Sequence, residues 1–248
     1  MGKYSYTWSY GGIVRGPREE KRLSLIFTGG EYGEGFKDVL DQLAEKNVKG
    51  GFFFTGAFLE QDALRPLVQR AVREGHYIGP HSHAHLLYCP WEDRSITLVH
   101  CEEFKDDLEM NLEELAVFGR TKEEMRFWIP PYEWYNDQIS AWSREMGMRL
   151  FNFTPGTLSH ADYTTEDMKN YRSSDVIWKS IFDYESTKED GLNGWIMLIH
   201  VGAGEKRRDK FYARLGALIE ELRGRGYDFA RIDDLLAGAP LVEPGDKP

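Results

Sequence analysis

The sequence predicts an α/β fold, a single (β/α) barrel of about seven parallel strands. Short, continuously apolar runs alternate with amphipathic segments of helical period, as in consecutive βαβ units whose strands are buried on both faces. Glycine or proline closes most of these segments. No composition break, internal repeat or low-complexity stretch divides the chain. An open doubly wound sheet is the alternative arrangement of the same units, and in both the strands' carboxyl ends carry function.

The elements follow in order. The run 23–27 is a buried strand, and Phe36, Val39, Leu40 and Leu43 share one face of a helix. Residues 50–55, with three successive Phe, form a second strand, 63–74 a helix ended by Gly75, and 76–79 a short third strand. Phe104, Leu108, Leu112 and Leu115 mark a long helix that stops at Gly119. A fourth strand, 126–129, is cut off by Pro130-Pro131. A helix over 136–146 and a fifth strand over 149–153 follow. Residues 154–173 are polar and turn-rich, 176–184 helical, and 195–199 an apolar sixth strand. Phe211, Leu215, Leu218, Ile219 and Leu222 make the last helical stripe, before a final strand at 227–232. Residues 1–22 are thus an N-terminal extension, 23–237 the barrel and 238–248 a frayed tail.

Composition narrows the function classes. A chain of 248 residues with 41% apolar and 29% charged residues is globular, not disordered. Its net charge of −10, without a basic cluster, argues against nucleic acid and anionic membranes as partners. No run approaches the roughly 20 apolar residues that span a bilayer. The first ten residues lack an apolar signal core, so the sequence leaves localisation open between a cytoplasmic protein and one whose leader was removed. Cys89 and Cys101 carry no nucleophile or zinc-ribbon pattern.

Titratable groups gather at the predicted strand ends. His81, His83 and His85 fall within five residues of a chain with 7 histidines, and neutral imidazole is the commonest metal ligand. His200 ends the sixth strand, placed as a general acid. Glu31 and Glu34 lie in a glycine-rich loop that lacks the Lys-Ser/Thr of a phosphate cradle, leaving Glu31 as a base or metal ligand. Pro130-Pro131 fixes the backbone before Tyr132, whose amide is a candidate oxyanion donor. Pro131, Trp134 and Tyr135 are candidate substrate contacts, the aromatics for stacking on sugar. The plain alternatives are a capping histidine, a surface acid, a strand terminator and core aromatics.

The order of these motifs resembles the polysaccharide deacetylases, carbohydrate esterases with the NodB-homology domain, over about residues 23–236. Gly75-His76-Tyr77-Ile78-Gly79-Pro80-His81-Ser82-His83-Ala84-His85 is similar to the family's Gly-His-x-Ile-Gly-x-His-[Ser/Thr]-x-x-His. Ile129-Pro130-Pro131-Tyr132 is similar to its Arg-Pro-Pro-Tyr, Leu198-Ile199-His200 to its Leu-Leu-His, and 48–56 to its second strand. The resemblance implies a distorted (β/α) barrel and a divalent metal, usually zinc, on His81 and His85. It further implies His200 as catalytic acid and removal of N- or O-acetyl groups from a polysaccharide. Three positions depart from the family. Thr28 and Gly29 stand where its Asp-Asp pair supplies base and metal ligand, Ile129 replaces the Arg, and Val201 the Asp after the acid His. Glu31 and His83 are the nearest replacements for the missing ligand, and Glu31 or Glu34 for the base. Two other functions remain open: a carbohydrate-binding domain impaired in catalysis, and a metal hydrolase of another amide or ester.

Overall fold

The computed structural model describes residues 5–243. It begins with an antiparallel hairpin, β1 (Thr7–Ser9) and β2 (Gly12–Arg15). The next strand, β3 (Arg22–Gly29), is central to a parallel sheet. On one side lie β4 (Gly51–Phe54) and then β5 (Tyr77–Pro80). A short parallel pair, β6 (Phe127–Trp128) and β7 (Arg149–Leu150), stands apart. On the other side of β3 lies β8 (Trp195–His200), while β9 (Asp228–Phe229) pairs with the start of β3.

Long-range hydrogen bonds close these pieces into a distorted barrel. The Tyr77 hydroxyl donates to Phe127 O (3.0 Å) and accepts from Phe127 N (2.8 Å), joining β5 to β6. Asn152 N donates to Ile13 O at 2.8 Å, so β2 lies beside the end of β7. Thr154 then links β2 to β8, donating its hydroxyl to Val14 O (2.7 Å) and accepting from Ile196 N (2.9 Å). The segment 1–22 is therefore not a mere extension. Its described part supplies a stave of the wall, and Ile13 belongs to the barrel interior.

Alternation explains the continuous apolar runs. Ile26, Phe53, Ile196 and Leu198 point inward, onto Tyr77, Phe127, Ile129 and Phe151. Leu25, Phe27, Phe52, Phe54, Met197 and Ile199 point outward. The outer layer is α1 (Phe36–Glu45), a single turn α2 (Gly56–Leu59), α3 (Arg65–Arg73), α4 (Cys101–Ala116), α5 (Asp137–Glu145), α6 (Ser174–Thr187) and α7 (Leu215–Gly224). The strand expected over 227–232 ends at Phe229, and Ile232 instead opens α8 (Ile232–Leu235). Ile232, Leu235 and Leu236 join the interior cluster at the strands' N-terminal end. The opposite end is the mouth.

The expected tail does not fray from residue 238. Ala239 is buried and its carbonyl accepts from Arg149 at 2.8 Å; residues 244–248 lie outside the described part. No helix among the described residues is long and apolar enough to cross a membrane.

Candidate active site

At the mouth the strand-end loops enclose a cavity of about 1610 Å³, lined among others by Thr28, Gly30, Glu31, His81, His85, Tyr132, Glu133, His160 and His200. β5 delivers the histidine segment. Ser82 and His85 take left-handed backbone, with φ of 70° and 53°, so residues 81–85 form a tight loop and not a helical turn. Such conformations cost on the order of 1–3 kcal/mol each and persist where the surroundings fix them. Two polar residues on the buried face of α4 do the fixing. Asp107 accepts from the Ser82 hydroxyl (2.5 Å), His83 N (3.2 Å) and Ala84 N (2.7 Å), and Asn111 Oδ1 accepts from His81 N (2.9 Å).

The loop sets His81 and His85 side by side, ring centroids 5.1 Å apart. His81 Nδ1 lies 2.9 Å from Ile129 O. A carbonyl only accepts, so Nδ1 carries the proton and Nε2 keeps its lone pair. Burial, then the neighbouring His85, holds His81 well below the usual imidazole range. Burial and His200 bring His85 down to about 4. Both rings are neutral at physiological pH, the form that binds metal. His83 is directed elsewhere: its Nδ1 pairs with Glu114 at 2.9 Å, its ring sits over Gly56, and it does not line the cavity.

After β6, Tyr132 and Glu133 form a second left-handed pair, φ 57° and 53°. The Tyr132 ring turns outward against His85 (4.4 Å) and Trp91 (5.7 Å), and Trp91 meets Trp134 at 5.8 Å, building an aromatic rim. Tyr135 is wholly buried, with its hydroxyl on Ser9 O at 2.9 Å, and Pro131 is buried outside the cavity lining. Glu133 turns inward. Its carbonyl accepts from Asn152 Nδ2 at 2.7 Å, and its Oε1 stands 4.0 Å from His81 Nε2. Burial, opposed by His200 and reinforced by Asp162, pushes this carboxyl up to about 7.

The end of β8 carries His200. Its Nδ1 lies 2.6 Å from Asp162 Oδ1, and its backbone N donates to Asp162 Oδ2 at 2.9 Å. Burial alone would lower its pKa, but the charge and hydrogen bond of Asp162, then Glu133, raise it above the ordinary imidazole value. His160 stacks on Phe153 at 4.4 Å beside this pair. In the glycine-rich loop, Glu34 is taken up by Ala203 N (2.9 Å) and Lys210 Nζ (2.5 Å). Glu31 is exposed at the rim, and only its carbonyl is engaged, by Gln61 at 3.2 Å.

Sequence reasoning missed Asp107, Asn111 and Asp162 and gave no role to Glu133. Asp107 and Asn111 left a faint signal, as polar residues interleaved with the apolar stripe of α4. Asp162 left none, since it sits in a polar stretch 38 residues from its partner.

A family model for polysaccharide deacetylases matches residues 15–151, more than half of the chain. The chain belongs to the polysaccharide deacetylase family. It is 27% identical over 218 residues to the peptidoglycan N-acetylglucosamine deacetylase PgdA of Listeria monocytogenes, covering 88% of this chain but spanning only 39% of that relative. It is 26% identical over 229 residues to the peptidoglycan N-acetylmuramic acid deacetylase PdaA of Bacillus subtilis, covering 92% and 76% of the two chains. The structure of Bacillus subtilis PdaA superposes with a TM-score of 0.71 at 23% identity, over 93% of this chain and 87% of that one. A family pseudoenzyme from Bacillus anthracis superposes at 0.70 and 20% identity, over 92% and 70%. These likenesses establish the distorted barrel.

Polysaccharide deacetylases of this family generally use a divalent metal. In this member two donors fit one in kind: paired neutral imidazoles, with the Nε2 lone pair of His81 left free by the Nδ1 bond to Ile129 O. The third family donor has no room on β3. A Cβ at Gly29 would lie 2.7 Å from the Phe58 ring and 2.9 Å from Phe54, which stack on each other at 4.4 Å. Among the described residues no three His, Cys, Asp or Glu side chains form a group that could hold a metal ion. At Gly29, where the resemblance sets the family ligand, packing thus leaves no room for a side chain. Gly29→Ala is expected to cost about 1–3 kcal/mol by overpacking. Gly30→Ala, with nothing within 4 Å of its Cβ, should stay within about 0.5 kcal/mol. Urea unfolding of the two variants checks the contrast.

Proposed function

We propose that this chain hydrolyses acetyl groups from an N-acetylhexosamine polymer of the peptidoglycan kind. The observation that carries the reading is the His200–Asp162 pair, whose imidazole lines the same cavity as His81 and His85. An imidazole whose pKa a buried carboxylate raises is suited to give a proton to a leaving group bound in this cavity.

Each residue then has a task. Trp91, Trp134 and Tyr132 offer ring faces to a sugar at the rim. The Tyr132 amide, held by its left-handed backbone, is the donor assigned to the acetyl oxygen as negative charge develops there. Of the two acids in the glycine-rich loop only Glu31 is uncommitted, and it is assigned the proton of the attacking water. The water oxygen bonds to the acetyl carbon, and the carbon–nitrogen bond breaks as His200 gives its proton to the amine. Acetate and a free amine result. A divalent metal held by His81 and His85, zinc by family habit, would supply polarisation of the acetyl carbonyl and a more acidic water.

Incubating the metal-loaded protein with chito-oligomers, peptidoglycan fragments and acetylated xylan, and measuring acetate, tests the reading. Release from the N-acetylated substrates is the expected result. A second reading, a glycan-binding member without turnover, is favoured by the filled position at Gly29. Glycan binding with no acetate from any substrate would establish that reading in place of the first.

The pH profile should carry the signature of the pair. His200 acts when protonated, so activity falls as pH rises through its raised pKa. Asp162→Asn removes the charge that raises it. The alkaline limb of kcat is then expected to move to lower pH, while KM stays within about twofold.

A further inference from the structure

β3 brings no carboxylate to the imidazole pair, yet one reaches it from across the barrel mouth. Glu133 Oε1 is 4.0 Å from His81 Nε2. We propose that Glu133 takes over from the missing family Asp as the third protein donor to a divalent cation held by His81 and His85. The inference rests on the metal-dependent reading above, but not on turnover.

The first argument is aim. Residues 132 and 133 are both left-handed, and the Glu133 carbonyl is pinned by Asn152, so the pair sends Tyr132 to the rim and Glu133 to the floor. The side chain of Glu133 is 16% exposed. That of Glu34, the loop acid already bound to Lys210, is 37% exposed.

The second argument is what Glu133 lacks. Asp162 accepts two hydrogen bonds from His200 and Asp107 three from the histidine loop. The Glu133 carboxylate accepts none from the described residues; the neutral His81 ring is its nearest ionisable neighbour, and His200 acts on it only through space. An inward carboxylate without donors is costly unless a cation answers it.

The third is chemistry and reach. Two His and one Glu is a known catalytic zinc set, with bonds of about 2.0–2.2 Å. Tetrahedral ligation then needs nitrogen and oxygen about 3.3 Å apart. The present separation asks for a closure of well under one side-chain length, and the longer Glu gives the freedom that Asp would not.

Zinc titration calorimetry on the full chain tests this, with cobalt absorption as a second reading of the coordination shell. One zinc per chain is expected. Glu133→Gln should weaken binding by at least the roughly 10- to 100-fold that loss even of an outer-shell partner costs, and should dim the cobalt bands. Glu31→Gln and His83→Ala should leave affinity in place. Thermal melts of metal-free protein report folding. If E133Q proves unfolded, E133D replaces it, because Asp tolerates the left-handed backbone and lacks the reach. No zinc binding by the natural chain, unchanged affinity in the position-133 variant, or a loss that follows Glu31 or His83 instead overturns the proposal. Zinc bound through Glu133 without acetate release would sink the deacetylase reading and leave this one standing.

Discussion

Replacing His200 with alanine is expected to lower kcat for deacetylation by about 10²- to 10⁴-fold, the usual span of a positioned general acid, with little change in KM. His200 ends β8, and its backbone N and Nδ1 are both held by Asp162, so the ring's other nitrogen is the one presented to the cavity. Removing the ring should leave the barrel intact, because its partner Asp162 keeps the backbone N–H of residue 200. Steady-state kinetics on an N-acetylated oligomer measures the effect. Loss of less than tenfold would remove His200 from the chemistry. His200 also bears on stability. Its folded pKa is raised, so its contribution is full below the unfolded imidazole value and is lost as pH rises through the folded value.

Asp107→Ala is expected to have the largest effect on stability among the residues around the site. The change strips three donors of their acceptor: the Ser82 hydroxyl and the amides of His83 and Ala84. Asp107 is 7% exposed, so water replaces it only in part. With about 1–3 kcal/mol for each buried group left unpaired, a net loss on the order of 3 kcal/mol follows. For a chain of this size that corresponds to a fall in Tm of roughly 6–12 °C. Released from Asp107, the left-handed Ser82 and His85 would relax, and zinc affinity should fall with them. Asp107→Asn is not a conservative repair, since its amide nitrogen would face a backbone donor. Thermal melts together with zinc titration check both effects. A stable variant with intact zinc binding would show that the loop holds its shape by other means.

Much of the scaffold was legible because it rests on local patterning. The three Phe of β4 read as a strand buried on both faces, and the structure sends Phe53 inward and Phe52 and Phe54 outward. Hydrophobic periodicity placed α1, α4 and α7, and Pro130-Pro131 marked the end of β6. The hairpin at the N-terminus was not legible. β2 has four residues, and its place in the wall depends on Asn152 and Thr154, far along the chain.

The site divides in the same way. His81, His85 and His200 lie at strand ends, and strand ends of parallel sheets converge, so order along the chain was enough to bring them to one mouth. Orientation needed the fold. The departure at Gly29 could be read from the sequence, but not that Phe54 and Phe58 fill the space beside it. His83 sits between the two expected ligands in sequence and yet faces Glu114, because Ser82 reverses the backbone just before it. Glu133 and Asp162 acquire meaning only from partners 52 and 38 residues away. The first is separated from His81 by that span of chain, and the second is bonded to His200. The amino-acid sequence alone determined the barrel, its polar rim and the three imidazoles gathered there, since these follow from periodicity and chain order. Which carboxylates serve those imidazoles was decided by tertiary structure, because a side chain's direction depends on backbone conformation and on contacts that no local pattern encodes.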